Sequence, residues 1–246
     1  HLIQTVSPSI VKRVTKIAFE ELGDIYWHVN AGTQTFPVQV ATKFKIPLVI
    51  WGVNGWLDQV GMFSHYDNVE MSKKVRKEHS LRGRDAEDLL LGKENLTLQD
   101  IQPFIYPSDT QLEESRVRGL YLGNFLRWDA QKQSEEMIKK FEYETKLEER
   151  TFNNYETIYC WNMEGVHDYI KYLKHGYGKA TDHACRDIRL RRMTREEGMK
   201  YAKKYDGIVP QKSIDLFLDW LGISRKRFYQ IIDLHRNLKV WKKDKI

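Results

Sequence analysis

A chain of 246 residues with 41% hydrophobic and 12% aromatic residues can form one large domain or a domain with an appendage, and is too apolar for disorder throughout. Lys and Arg outnumber Asp and Glu by 40 to 34, a net charge of +6 with the signs interspersed; this suits an anionic partner such as a nucleotide, a phosphorylated sugar or RNA, and equally describes a solvated, mildly basic surface. Two cysteines, Cys160 and Cys185, exclude a disulfide framework, no run approaches the roughly 20 apolar residues of a membrane span, and "HLIQTVSPSI" is no signal peptide, so the cytoplasm is the implied compartment.

The opening "HLIQTVS" reads as a short strand, as if the chain began partway through a sheet. Ser7 and Pro8 form an N-cap and N1 pair, Ile10, Val14, Ile17 and Ala18 recur at helical spacing, and Gly23 closes that helix. "YWHVN" (26 to 30) reads as a loop whose aromatics either stack on a ligand or fill the core. A second helix is predicted from Thr35 to Phe44 with Pro37 in its first turn, and "IPLVIWG" (46 to 52) as a strand buried on both faces. The stretch from 72 to 89 reads as a solvated basic face, with Arg76, His79 and Arg82 as alternative substrate contacts. "QPFIYPSD" (102 to 109) is a strand-to-loop candidate and "VRGLYLGNFL" (117 to 126) an extended segment.

After Asp129, a good N-cap, the pattern turns helical: residues 130 to 150, then Glu164 to Lys174 ending at Gly176. Thr194 with Glu197 makes a capping box for a helix ending near Asp206, and two amphipathic helices follow around Gly222-Ile223-Ser224. The expected fold is α/β: a partial Rossmann-like parallel sheet with flanking helices over 1–129, and a mostly helical region over 130–246.

Ligands of open α/β sheets bind at the carboxyl ends of strands; three loops leave such ends, Ser7 to Ser9, "WGVNGWLDQVG" (51 to 61) and "YPSDT" (106 to 110), of which the second holds three glycines with Asn54, Asp58 and Gln59 as its polar groups. A second concentration of polar residues is "HGYGKATDHACRDIRLRRMTREE" (175 to 197). Cys160, His167, His175, His183 and Cys185 lie close in sequence but show neither CxxC nor HExxH spacing, so no metal site is expected. Arg225, Lys226 and Arg227 could open a recognition helix of a helix-turn-helix; the apolar positions Leu216, Leu218, Leu221, Phe228, Ile231 and Ile232 fit helices docked on a core equally well, and no aromatic RNA-binding motif accompanies them.

Three stretches, residues 23–54, 118–129 and 164–207, resemble the N-acetyl sugar amidotransferase family, which is similar to the ATP pyrophosphatases of the PP-loop (adenine nucleotide α-hydrolase-like) superfamily. The resemblance spans most of the chain in order and is most specific at 176–189. It implies an ATP-dependent ligase-type transferase in bacterial lipopolysaccharide biosynthesis or flagellin glycosylation. ATP with Mg²⁺ adenylylates the acetamido oxygen of a free or nucleotide-linked sugar, and ammonia from a separate glutaminase then displaces AMP to leave an acetamidino group. Carried over by position, Gly52 and Asn54 match a strand-ending WGxN, with Val53 where glutamate is common, and with Gly55 and Asp58 they are assigned to the nucleotide. Tyr177, Gly178, Lys179 (where arginine is usual), Thr181, Arg186, Asp187 and Arg189 are assigned to substrate or phosphate, and Asp182 or His183 to proton relay from ammonia. The superfamily's SGGxDS loop and the family's cysteine-rich segment do not occur in the sequence, which implies the C-terminal part of a longer protein. The alternatives are a non-catalytic partner of a glutaminase and a basic nucleic-acid-binding helical protein, the latter less favoured; no membrane partner is implied.

Overall fold

The structure, a computed structural model, describes residues 1–52, 71–72, 74–155 and 162–241, with His79 described by its backbone alone. The chain forms two compact units, His1–Trp128 and Asp129–Ile246.

In the first unit, α1 (Pro8–Leu22) begins with Pro8 at N1 and ends at Gly23, whose φ of 56° lets the chain turn back and donate from Gly23 N–H to the Phe19 carbonyl at 3.0 Å. Its inner face buries Val14, Thr15, Ile17, Ala18 and Phe19. Helix α2 spans Trp27–Phe44, eight residues earlier than the expected start, so "YWHVN" is a helix entry rather than a loop and Pro37 lies in the interior. A mid-helix proline costs about 3 kcal/mol. Burial offsets it: Trp27, Ala31, Thr35, Val38 and Ala41 all face the core, Trp27 Nε1 donates to the Leu81 carbonyl at 3.2 Å, and its ring meets Phe104 edge-on at 5.9 Å.

Strand β1 (Leu48–Trp51) pairs in parallel with β2 (Arg118–Tyr121), Leu48 opposite Arg118 and Trp51 opposite Tyr121. Among the described residues the sheet has these two strands. A Rossmann-like sheet is therefore not what the described residues form; the arrangement is α/β with a small parallel sheet in a mainly helical chain. The expectation that β1 is buried on both faces is corrected: Leu48 and Ile50 are 44% and 60% exposed, while Val49 and Trp51 are half-buried. Residues 1–7 form no strand.

The expected strand at 102–109 is also corrected. Thr97 caps a short helix α3 (Leu98–Ile101) that runs into a 3₁₀ turn (Gln102–Phe104), and Ser108 caps α4 (Asp109–Ser115), each with a reciprocal capping box. Pro103 and Pro107 lack the N–H a ladder needs, and Phe104 serves the helical core instead, its carbonyl accepting from Thr35 Oγ1 at 3.3 Å. A π-helical turn (Val75–Ser80) and a 3₁₀ turn (Ala86–Leu91) bring Leu81, Ala86 and Leu89 to the same core. The basic stretch there is tied down: Arg76 lies 3.9 Å above the Tyr106 ring, Lys77 pairs with Asp85 at 2.7 Å, and Arg82 reaches buried Asp24 at 2.5 Å.

The second unit opens with α5 (Ala130–Phe141), capped by the Asp129 carboxylate accepting from Lys132 N–H at 3.2 Å. It stops short of residue 150 because Glu142 turns left-handed at φ 54° and no residue of α5 is buried to hold further turns. Then follow α6 (Glu164–His175), α7 (Lys179–Arg189), α8 (Arg195–Tyr205), α9 (Gln211–Leu221) and α10 (Arg225–Leu234). Val166, Ile170 and Leu173 of α6, Ala180 and Ala184 of α7, Ile214 and Phe217 of α9, and Phe228 and Ile231 of α10 supply the buried apolar residues. Helix α7 packs on α8, and α6 on α9.

Candidate functional site

The polar run from 175 onward folds as the α6–α7 corner. Gly176, at φ 85°, ends α6 in the left-handed conformation, and Gly178 caps α7. A Cβ on Gly178 would lie 2.6 Å from Asp206 Oδ1, so only glycine lets that carboxylate approach. Asp206 in turn accepts from Thr181 Oγ1 at 2.5 Å and from Thr181 N–H at 3.4 Å, placing an anion at the positive end of α7.

Helical spacing then sorts the predicted residues onto two faces. Asp182, Arg186 and Arg189 recur at i, i+4 and i+7 on the side that keeps solvent contact, whereas Ala180, His183, Ala184 and Asp187 are buried. Asp182 forms an ion pair with Lys171 of α6, and the Lys171 ammonium sits 4.8 Å above the Tyr177 ring. Tyr177, Lys171 and Asp182 thus form a half-exposed corner with a π face, a cation and a carboxylate.

The inward residues are held by partners. His183 Nδ1 lies 2.7 Å from Thr151 Oγ1, and its ring meets Phe152 edge-on. Burial, then the nearby Lys179, Arg186 and Lys171 cations, push its pKa well below the usual 6.5, so the imidazole is neutral at pH 7. Asp187 faces Arg192 at 3.8 Å; burial raises its pKa against that cation. Arg192 reaches on to Asp129, donating from Nη2 at 2.6 and 2.5 Å. Against the upward push of burial, hydrogen bonds from Arg192 and Lys132 hold Asp129 below the usual carboxylate range. Lys179 pairs with Glu164 at the start of α6.

Sequence reasoning missed the centre of this unit. Arg150, 2% exposed, donates from Nε to Asp168 Oδ2 at 2.7 Å, from Nη2 to the Asp206 carbonyl at 2.7 Å, and from Nη1 to the Ile208 carbonyl. Burial pushes the Asp168 carboxyl up, and the Arg150 and Lys171 cations pull it back. One arginine within "KLEERTF" carries no local signal; the i, i+4 placement of Glu164 and Asp168 on one face of α6 is the trace that was available. A cavity of about 20 Å³ lies beside this pair, lined by Glu148, Arg150, Glu164, Asp168, Lys179 and Ser213 among others. Two of its carboxylate oxygens, Glu148 Oε1 and Glu164 Oε2, are buried without a hydrogen-bond partner.

In the first unit, Gly52 directly follows β1 and is exposed. Asn54, Gly55 and Asp58 of the predicted nucleotide loop, and Cys160, lie outside the described residues. Cys185 is an exposed free thiol on α7, opposite in burial to His183. The proposed recognition helix is pinned at its start: Arg225 pairs with Asp215 and donates to Gln211 Oε1 at 2.9 Å. Among the described residues no helix is long and apolar enough to cross a membrane.

No curated protein matches the chain. Residues 149–246, from just before Arg150 through α6–α10, match the family described as LPS biosynthesis protein WbpG-like, C-terminal domain, and this likeness connects the second unit with lipopolysaccharide biosynthesis.

Proposed function

We propose that this protein acts in an ATP-dependent amidotransfer that converts the N-acetyl group of a sugar into an acetamidino group during bacterial surface-polysaccharide synthesis. The likeness of residues 149–246 to a lipopolysaccharide-biosynthesis domain carries this reading, and the sequence resemblance at 176–189 supports it. The reaction balances as sugar acetamide, ATP and ammonia giving sugar acetamidine, AMP and pyrophosphate: the acetamido oxygen attacks the α-phosphorus, pyrophosphate leaves, and ammonia replaces the oxygen, which departs with AMP. An amide is a poor electrophile, and O-adenylylation supplies the leaving group that it lacks. Mg²⁺ arriving with ATP would neutralise charge on the phosphates.

In this proposal the chain's second unit presents the substrate. Lys171, Arg186 and Arg189 offer positive charge to the phosphates of a nucleotide-linked sugar, and Tyr177 offers a ring face to the sugar or base. Asp182, held by Lys171, is the candidate to accept a proton from the attacking ammonia, since His183 is buried and hydrogen-bonded to Thr151. A separate glutaminase supplies the ammonia.

The test is incubation with ATP, Mg²⁺, ammonium or glutaminase plus glutamine, and nucleotide-linked N-acetylated sugars. AMP release matched by a product in which NH replaces O is the expected result. Stable co-purification with a glutaminase, without AMP formation in either format, would replace it with a non-catalytic partner role.

A further inference from the structure

The segment that follows α10 turns back onto the α6–α7 corner, and Asn237 organises it. Its N–H donates to the Leu173 carbonyl at 3.2 Å, its own carbonyl accepts from the Val240 and Trp241 N–H groups at 3.0 Å each, and its Oδ1 accepts from Lys239 N–H at 3.0 Å. The last of these is an Asx turn, which only a short side chain with a carbonyl or carboxylate oxygen closes. The turn delivers Trp241 Nε1 to the same Leu173 carbonyl at 2.8 Å. Leu173 lies in the last turn of α6, where carbonyls lack a helical partner, and two donors from the returning segment satisfy it.

Side-chain packing converges on the same turn. The Trp241 ring meets Tyr172 edge-on with centroids 4.8 Å apart, and the Arg150 guanidinium lies 5.6 Å from the Tyr172 ring, so the end of α6 is held both from the buried centre of the unit and from the returning segment. Val240 packs on the bare backbone of Gly176, where a Cβ would lie 2.7 Å from Val240 Cγ1. Apolar burial does not account for the segment, because Leu238 and Val240 remain 67% and 49% exposed. Its directional contacts do, and they end one residue before Tyr177, whose ring lies 4.8 Å below the Lys171 ammonium and 6.1 Å from the His175 ring.

We infer that Asn237 and Trp241 are positioning residues: as a clasp on the end of α6 they fix the left-handed turn at Gly176, and through it the place of the Tyr177 ring that receives the nucleotide-linked sugar. The sugar's part in this rests on the amidotransfer reading; the clasp does not. The experiment compares the full chain with Trp241→Phe, which keeps a ring on Tyr172 but loses the donor, and Asn237→Ala, which loses the Asx turn but keeps the N–H. Thr194→Ala, which removes a cap of α8 and none of these contacts, controls for loss of stability alone. Amide hydrogen exchange is followed on the ligand-free proteins, and retention of UDP-N-acetylglucosamine is measured by equilibrium dialysis. Exchange at Gly176 and Tyr177 should speed up about fivefold in both clasp variants and the Kd of the probe should rise about fivefold, the weight of a single hydrogen bond, with neither changed in Thr194→Ala. Unchanged exchange at these two amides overturns the clasp. Faster exchange with an unchanged Kd, or an equal rise of Kd in Thr194→Ala, overturns the positioning role and leaves the amidotransfer reading standing. A wild-type protein that does not retain the probe removes the substrate role together with that reading, while exchange still decides the clasp.

Discussion

Arg150 and Asp168 meet at 2.7 Å with both side chains almost fully buried, so removing either leaves an uncompensated charge inside the second unit. Arg150→Ala should cost about 3–5 kcal/mol, read as a drop in the denaturant midpoint. Gly178→Ala places a methyl against Asp206 Oδ1 and should cost roughly 1–3 kcal/mol by overpacking, with Thr181's hydrogen bond to Asp206 disturbed. Two histidines set an acid limit. His183 has its folded-state pKa pushed well below 6.5 by burial, and His28 is lowered to about 4 by burial, against a small pull from Asp24. The unfolded chain therefore binds protons first as pH falls: this stability is complete above about pH 6.5 and is lost on acidification. For His28 the loss amounts to roughly 3 kcal/mol at most by pH 4. Melting temperature followed from pH 7.5 to 4 should fall, and His28→Gln should flatten the curve; an unchanged curve would show that His28 titrates alike in both states.

Helix α7 shows how one element divides the predicted site. Its capped start, its spacing and its ion pairs turn Asp182 and Arg189 outward while His183 and Asp187 anchor the helix. Arg189→Ala should leave stability within about 0.5 kcal/mol, as surface changes do, and weaken retention of a nucleotide-linked sugar on the protein, measured by equilibrium dialysis. Equal weakening of fold and binding would place Arg189 with the anchors. Helix α8 depends on a local device: Thr194 Oγ1 accepts from Glu197 N–H at 3.2 Å while the Glu197 carboxylate accepts from Thr194 N–H at 2.8 Å. Those hydrogen bonds hold Glu197 below the usual carboxylate range. Thr194→Ala should cost about 1 kcal/mol, visible as a lower melting temperature with little change of helical circular dichroism at 20 °C.

At the scale of the molecule, several of the cations that could meet an anionic partner are held by carboxylates, Arg82, Arg150, Arg192 and Arg225 among them. Nucleic-acid binding in a filter assay should accordingly be weak at physiological salt; tight binding with a steep salt slope would restore the helix-turn-helix alternative. Local chemistry was legible in the sequence wherever hydrogen bonds close within a turn: the Pro8 start and Gly23 stop of α1, the Asp129 cap, the Thr194–Glu197 box and the Gly176 stop all depend on residues a few positions apart. The proline rule failed at Pro37 and the strand pattern at 102–109, because burial of Trp27 and Phe104 in a shared core outweighs a helix's local preference and turns an apolar run inward. The candidate site follows the same division. Its α7 residues were visible as a polar cluster, but Arg150, Asp168, Glu148 and Glu164 acquire their meaning only when segments far apart in the chain meet. The sequence by itself determined the local caps, at Asp129, at Gly176 and at Thr194 with Glu197; the tertiary structure decided that α5 ends at Phe141 and which polar groups are buried, because burial is a property of long-range packing and not of neighbours along the chain.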